Sequence, residues 1–210
     1  MSLNLKDAPK SGAKLPPPKA GTQLARLVGI TGLGVQKREF QGEEKSPTEQ
    51  LNFTYELPND KMTTDKGEEL PRWIGQNRVS FFVAEKSTLA KILQALDPLN
   101  KCDGDLTKLI GTPCFLSIVH SQKPGKAVTA KIASVTALPD GITAPAQISK
   151  SFVFDFYKPD LDVYMELPAW VKEVIVSATD FTGSALAALL ANPEAPETTV
   201  AVTQEEDRPY

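Results

Sequence analysis

The sequence predicts a mainly β protein, a small five-stranded barrel interrupted by one helix and followed by an aromatic, partly helical extension. Three observations point there. Apolar and polar residues alternate over several short stretches, one stretch instead repeats its apolar residues at helical spacing, and turn-forming clusters separate these runs. The chain has 210 residues, 41% of them hydrophobic and 23% charged, a composition that suits one globular core with extensions.

Residues 22–31 (TQLARLVGIT) read as the first strand. Gly32-Leu33-Gly34 reads as a turn after it, because the third glycine and the helix of a dinucleotide fingerprint are missing. Leu51, Phe53, Tyr55 and Leu57 alternate with Asn52, Thr54 and Glu56, the mark of a half-buried second strand, and Pro58-Asn59-Asp60 reads as the turn that closes it. A third strand over 72–83 places Trp73, Val79, Phe81 and Val83 on one face and Arg72, Gln76, Arg78 and Ser80 on the other. Ser87 is the expected N-cap of a helix whose Leu89, Ile92, Leu93 and Leu96 follow a 3.6-residue period and which Asp97-Pro98 stops. Strands over 112–121 and 127–137, joined by Gln122-Lys123-Pro124-Gly125-Lys126, complete the set. Three strands, a helix and a hairpin is the element order of an OB-fold, a five-stranded barrel that often binds single strands, here assigned to residues 21–140.

Residues 1–20 form a basic, Pro-rich stretch that cannot fold alone and reads as a flexible arm, with Lys6, Lys10, Lys14 and Lys19 set against Asp7. Residues 141–190 are expected to be an extension with short helices. Phe152, Phe154, Phe156, Tyr157, Tyr164 and Trp170 give it much apolar area to bury, Pro168 opens one helix and 184–191 forms another. Whether this extension packs on its own barrel or clasps a neighbouring protomer stays open, so a homo-oligomer is one expectation. Residues 191–210 read as a disordered acidic tail, with Glu194, Glu197, Glu205, Glu206 and Asp207 against Arg208. That tail accounts for the net charge of −3, and the residues before it are slightly basic. Such polarity suits a tail that competes with nucleic acid for a basic groove.

Other chemistries lack their residues. The longest apolar stretch, 184–191, is too short to cross a bilayer, and the first twenty residues lack the apolar core of a secretory signal, which predicts a cytoplasmic protein with no membrane partner. Cys102 and Cys114 have no CxxC partner or clustered His, so they read as reduced structural thiols. His120 is the sole histidine and lacks the nucleophile and orienting acid of a triad. Asp155, Asp160 and Asp162 read as surface carboxylates or helix caps, since no metal-nuclease motif accompanies them. No catalytic residue, metal or cofactor is expected.

Sequence-independent strand binding needs cations along a groove and aromatic faces for base stacking. The candidates are Arg26 on the first strand, Lys37, Arg38 and Phe40 in the loop after it, Arg72, Trp73 and Arg78 on the third strand, and Lys123, Lys126 and Lys131 around the last hairpin. The first-second and fourth-fifth loops of an OB-fold flank its usual binding face. Trp73, Phe81 and Tyr55 share the alternation of core positions and read first as buried, which leaves Phe40 as the better stacking residue.

The terminal Glu205-Glu206-Asp207-Arg208-Pro209-Tyr210 resembles the Asp-Asp-Asp-Ile-Pro-Phe tip of bacterial single-stranded DNA-binding proteins, with Arg208 standing where that family has Ile. The stretches AGTQLARLVGITGLGVQ, KSPTEQLNFTYEL, DLTKLIGTPCFLSIV and FVFDFYKPDLDVYMELPAWVKEVI resemble single-stranded DNA-binding proteins encoded by tailed bacteriophages near their recombination and replication genes. The resemblance implies an OB-fold that binds and protects single-stranded DNA, without sequence preference, during phage DNA replication, recombination and repair in the host cytoplasm. It also implies that Glu205, Glu206, Asp207, Pro209 and Tyr210 dock on replication or recombination proteins, a recurring mode of peptide recognition. The alternative is a phage assembly or interaction protein that uses an OB-like barrel for protein contacts only. An accessory enzyme such as a nuclease has no motif behind it.

Overall fold

The computed structural model describes residues 16–64, 67–122, 124–125, 127–139 and 141–192. Over these the chain is mainly β, in the order β1 (Gly21–Phe40), β2 (Glu43–Thr63), β3 (Glu69–Ser80), α1 (Thr88–Leu96), β4 (Pro113–Ser121), β5 (Thr129–Ala137), β6 (Phe152–Phe154), α2 (Leu161–Glu166), α3 (Ala169–Val176) and α4 (Ala185–Ala191). The sheet runs β3-β2-β1-β4-β5 with every neighbouring pair antiparallel, and β6 joins β1 in parallel. One edge of β1 is shared in turn, by β4 along residues 21–26 and by β6 along 29–31. The end strands β3 and β5 touch, and α1 packs on β3, β4 and β5, so the sheet curls round its core in a barrel-like arrangement.

That core follows from the alternation. Phe53, Tyr55 and Leu57 of β2 and Leu27 of β1 meet Leu89, Ile92 and Leu96 of α1, and each such side chain contributes about 1.5–3 kcal/mol by leaving water. Ser87 caps α1 as expected, its Oγ accepting from the Ala90 N–H at 3.1 Å. Asp97 closes the far end, its carboxylate accepting from the N–H groups of Lys101 and Cys102.

Two expected turns are strand interior instead. β1 passes straight through Gly32-Leu33-Gly34, where two residues, Leu33 and Gly34, lie between the pairs Gly32↔Leu51 and Val35↔Glu49 against only Gln50 on β2. The extra residue is a bulge with Gly34 at φ +70°, and a Cβ there would lie 2.8 Å from Asp180 Oδ1 and 2.9 Å from the Phe156 ring, so only glycine fits. Pro58-Asn59-Asp60 is likewise a bulge inside β2, between the pairs Leu57↔Arg72 and Lys61↔Pro71. Pro47 lies at a third irregularity, where the missing N–H breaks no regular ladder bond. The hairpin turns at Gln41-Gly42, both at positive φ (56° and 81°), as a two-residue loop with the sheet's twist requires.

β3 corrects another expectation. It ends at Ser80 and contains a bulge, four of its residues, Gln76 to Val79, spanning what Leu51 to Phe53 span on β2, with Arg78 at φ +58°. The bulge reverses the in-out parity. Ile74 and Val79 are therefore both buried, while Trp73 turns to the other face.

That other face is covered by the extension, which packs on its own sheet. Phe154, Phe156, Tyr164, Leu167, Val171, Ile175 and Leu186 form a second core with Leu33 of β1. Polar ties fix it there. The buried Glu56 carboxylate accepts from the backbone N–H groups of Ile148 and Ser149 at 3.0 and 2.5 Å, and Gln36 Nε2 donates to Val174 O at 2.9 Å. β2 is thus buried on both faces where the alternation suggested one. Asp160 caps α2 by accepting from the N–H groups of Asp162 and Val163, Pro168 stands at the N-cap of α3, and Ser184 caps α4. Among the described residues, no helix is long and apolar enough to cross a membrane.

Candidate nucleic-acid interface

The β1–β2 hairpin runs on beyond the apolar core, so its far half carries polar and charged side chains into solvent. Lys37 and Arg38 stand there on β1 itself, a correction to the expected loop, because the ladder continues through Arg38↔Lys45 to Phe40↔Glu43. Beside them lies the β3 bulge. Asn52 Oδ1 accepts from the Arg78 backbone N–H at 2.8 Å, and Gln50 Oε1 accepts from Arg78 Nε at 3.0 Å. These bonds hold the guanidinium in one orientation before any ligand arrives, and a planar fork held in place suits phosphate.

Two adjoining clefts share Arg38, Arg78 and Ser80. The first, of about 740 Å³, is lined also by Lys37, Gln50, Glu39 and Glu44. The second, of about 590 Å³, adds Lys86, Lys131 and Phe82 and has no acidic residue among its described lining. The N-terminus of α1, at Ser87 and Thr88, opens onto this second cleft and adds its partial positive charge. Five cations from the hairpin, β3, the loop before α1 and β5 thus border one continuous depression. Phe81 and Phe82, 45% and 52% exposed, leave the end of β3 beside it. The arrangement offers phosphates a row of cations and bases an exposed ring.

The other expected residues lie elsewhere. Arg26 donates to the carbonyl oxygens of Gly111, Ala144 and Pro145 and so ties the extension down. Arg72 is 3.3 Å from the buried Asp60 carboxylate and also donates to Pro16 O. Asp60 accepts from the Lys19 N–H too, and His120 Nε2 lies 2.8 Å from Pro18 O, so residues 16–19 lie along the sheet. Tyr55 is buried as expected, whereas Trp73 is 47% exposed, against the expectation for both it and Phe81. Its Nε1 donates to Ser149 Oγ at 2.7 Å and its ring stacks on Phe152 at 5.9 Å. Lys123, Lys126, the Phe40 side chain, and Glu205, Glu206, Asp207, Pro209 and Tyr210 lie outside the described residues.

Lys86 and Phe82 were not singled out from the sequence. The available signal was position, since Lys86 directly precedes the Ser87 cap and so stands at the mouth of a helix N-terminus. Burial pushes the Cys114 thiol up to about 12, leaving it protonated and unreactive at neutral pH. Among the described residues no group of His, Cys, Asp or Glu could hold a metal ion. No family model matches the sequence, and no curated protein matches it.

Proposed function

We propose that this chain is an OB-fold protein that binds single-stranded DNA without sequence specificity and protects it during phage DNA replication, recombination and repair in the host cytoplasm. The observation that carries the reading is the convergence of Lys37, Arg38, Arg78, Lys86 and Lys131 on two adjoining clefts beside an exposed Phe82. Cations provide the sequence-independent affinity through counterion release, and an exposed ring stacks on any base. The OB assignment is supported by the strand order β3-β2-β1-β4-β5 and by α1, which falls between the third and fourth strands. Recruitment of replication or recombination proteins is assigned to the acidic residues 205–210.

Fluorescence anisotropy with single-stranded DNA, duplex DNA and RNA of one length tests the binding. Tighter binding to single-stranded DNA than to duplex is expected, and equal affinity for the two, or none at low salt, rejects the reading. Removal of residues 205–210 should leave DNA affinity equal or higher while abolishing capture of a replication or recombination protein. A second reading, a barrel used only for protein contacts, is favoured by an apolar cleft of about 490 Å³ bordered by Met62, Leu70, Trp73 and Ile148. The anisotropy experiment separates the two.

A further inference from the structure

A further cavity, of about 200 Å³, lies where the start of α3 meets the outer face of β2 and β3. We propose that it takes one nucleobase of the bound strand and hydrogen-bonds that base through Asn52. Trp73, Phe152 and Trp170 supply aromatic lining, Asn52 and Asn77 supply amides, and no charged residue stands among its described lining. The volume is below the roughly 300–1,000 Å³ of drug-sized sites and suits one flat ring system.

Asn52 is the observation that points to a ligand. It is 3% exposed, and its Oδ1 is committed to the Arg78 N–H at 2.8 Å, which fixes the amide's orientation. Its Nδ2 is left without a hydrogen-bond partner. A buried donor left unpaired costs about 1–3 kcal/mol, so an acceptor carried by the ligand recovers energy that folding leaves unrecovered. A phosphate would lose its hydration against an uncharged lining, and a hydrocarbon or a phenyl ring of a partner protein would leave Nδ2 unpaired. A heteroaromatic ring with an exocyclic carbonyl meets both demands.

The cavity is also placed for a strand. Gly75 and Asn77 line both it and the second cationic cleft, so a backbone on Arg38, Arg78, Lys86 and Lys131 passes its entrance. The Trp73 ring is already oriented by its Ser149 bond and its Phe152 stack, while Trp170, 46% exposed, stands at the rim. A base turned inward would meet rings that need little further ordering.

This inference rests on the proposed strand binding, and the test separates the two. Affinity for a thymidine dodecanucleotide is measured for the unaltered chain, for Asn52→Asp and for Trp170→Ala, with thermal melts confirming that both variants fold. Asn52→Asp keeps an acceptor for the Arg78 N–H but exchanges the free donor for an ionisable carboxylate, so Trp170→Ala, which removes a ring without adding charge, is the charge-neutral arm of the test. Each is expected to weaken binding about fivefold or more, stacking alone being worth about 1–3 kcal/mol per base. Photocrosslinking with 5-iodo-deoxyuridine in the same oligonucleotide should label Trp73 or Trp170. No binding by the unaltered chain defeats both proposals. If it binds, and either variant stays within twofold of it or crosslinks fall only on Phe81 and Phe82, the base pocket alone is overturned.

Discussion

At the scale of single residues, neighbours two or three positions away settle some fates and distant strands settle others. Tyr55 and Ser87 are legible in the sequence because alternation and capping are local patterns. Trp73 is not, since its direction depends on the bulge at Arg78, a non-glycine residue at φ +58° that nothing in the sequence marks. Gly29 shows the same dependence on distance: a Cβ there would lie 2.2 Å from the Phe152 ring. Gly29→Ala should therefore destabilise the protein by about 1–3 kcal/mol, the usual range for overpacking, and a thermal melt showing no loss would contradict the packing of the extension on β1. Burial raises the Cys114 thiol from 9.0 to about 12 and the Tyr55 phenol well above its usual value. Both are held neutral in the folded chain, while the unfolded chain ionises first and gains the advantage as pH rises. Their contribution is complete below about pH 9 and declines towards pH 12, at up to about 1.4 kcal/mol per pH unit for the thiol. Denaturant titrations from pH 8 to 11 should show a shallower loss for Cys114→Ala, and equal slopes would refute the assignment.

At the scale of elements, α1, α3 and α4 were readable, because the Ser87 and Ser184 caps, Pro168 and the 3.6-residue period of α1 each lie within one segment, whereas α2 was not located. The two long strands were not readable either. Gly34, Pro47 and Pro58 look like turn residues, yet each lies at an irregularity within a continuing ladder, and the outer half of the hairpin has no buried face to impose alternation. That outer half should behave differently from β6. Amides of Phe152–Phe154, paired with β1 and overlying the second core, should resist hydrogen exchange far longer than those of the hairpin beyond Arg38. Equal exchange in the two segments would mean that the extension is not docked. Loss of the α1 cap in Ser87→Ala should cost about 1 kcal/mol, read as a lowered denaturation midpoint.

At the scale of the whole molecule, what matters is which cations the curled sheet brings together. Lys37, Arg38 and Lys131 were candidates in the sequence, but Lys86 joins them only because α1 starts beside β3 and β5, and Arg26 and Arg72 leave them because backbone carbonyls claim the first and the buried Asp60 carboxylate the second. The binding proposal therefore rests on five named side chains, and their number sets a measurable quantity. Each cation that neutralises a phosphate on a single strand contributes about −0.7 to the slope of log affinity against log salt. The most direct test is that slope, measured with a thymidine oligonucleotide for the unaltered chain and for the Lys37→Glu, Arg38→Glu double variant. A slope of about −3 to −4 is expected for the former, with a slope shallower by at least about 1.4 and weaker binding to every base composition for the latter. A slope near zero, or one that the double variant leaves unchanged, would contradict strand binding in these clefts.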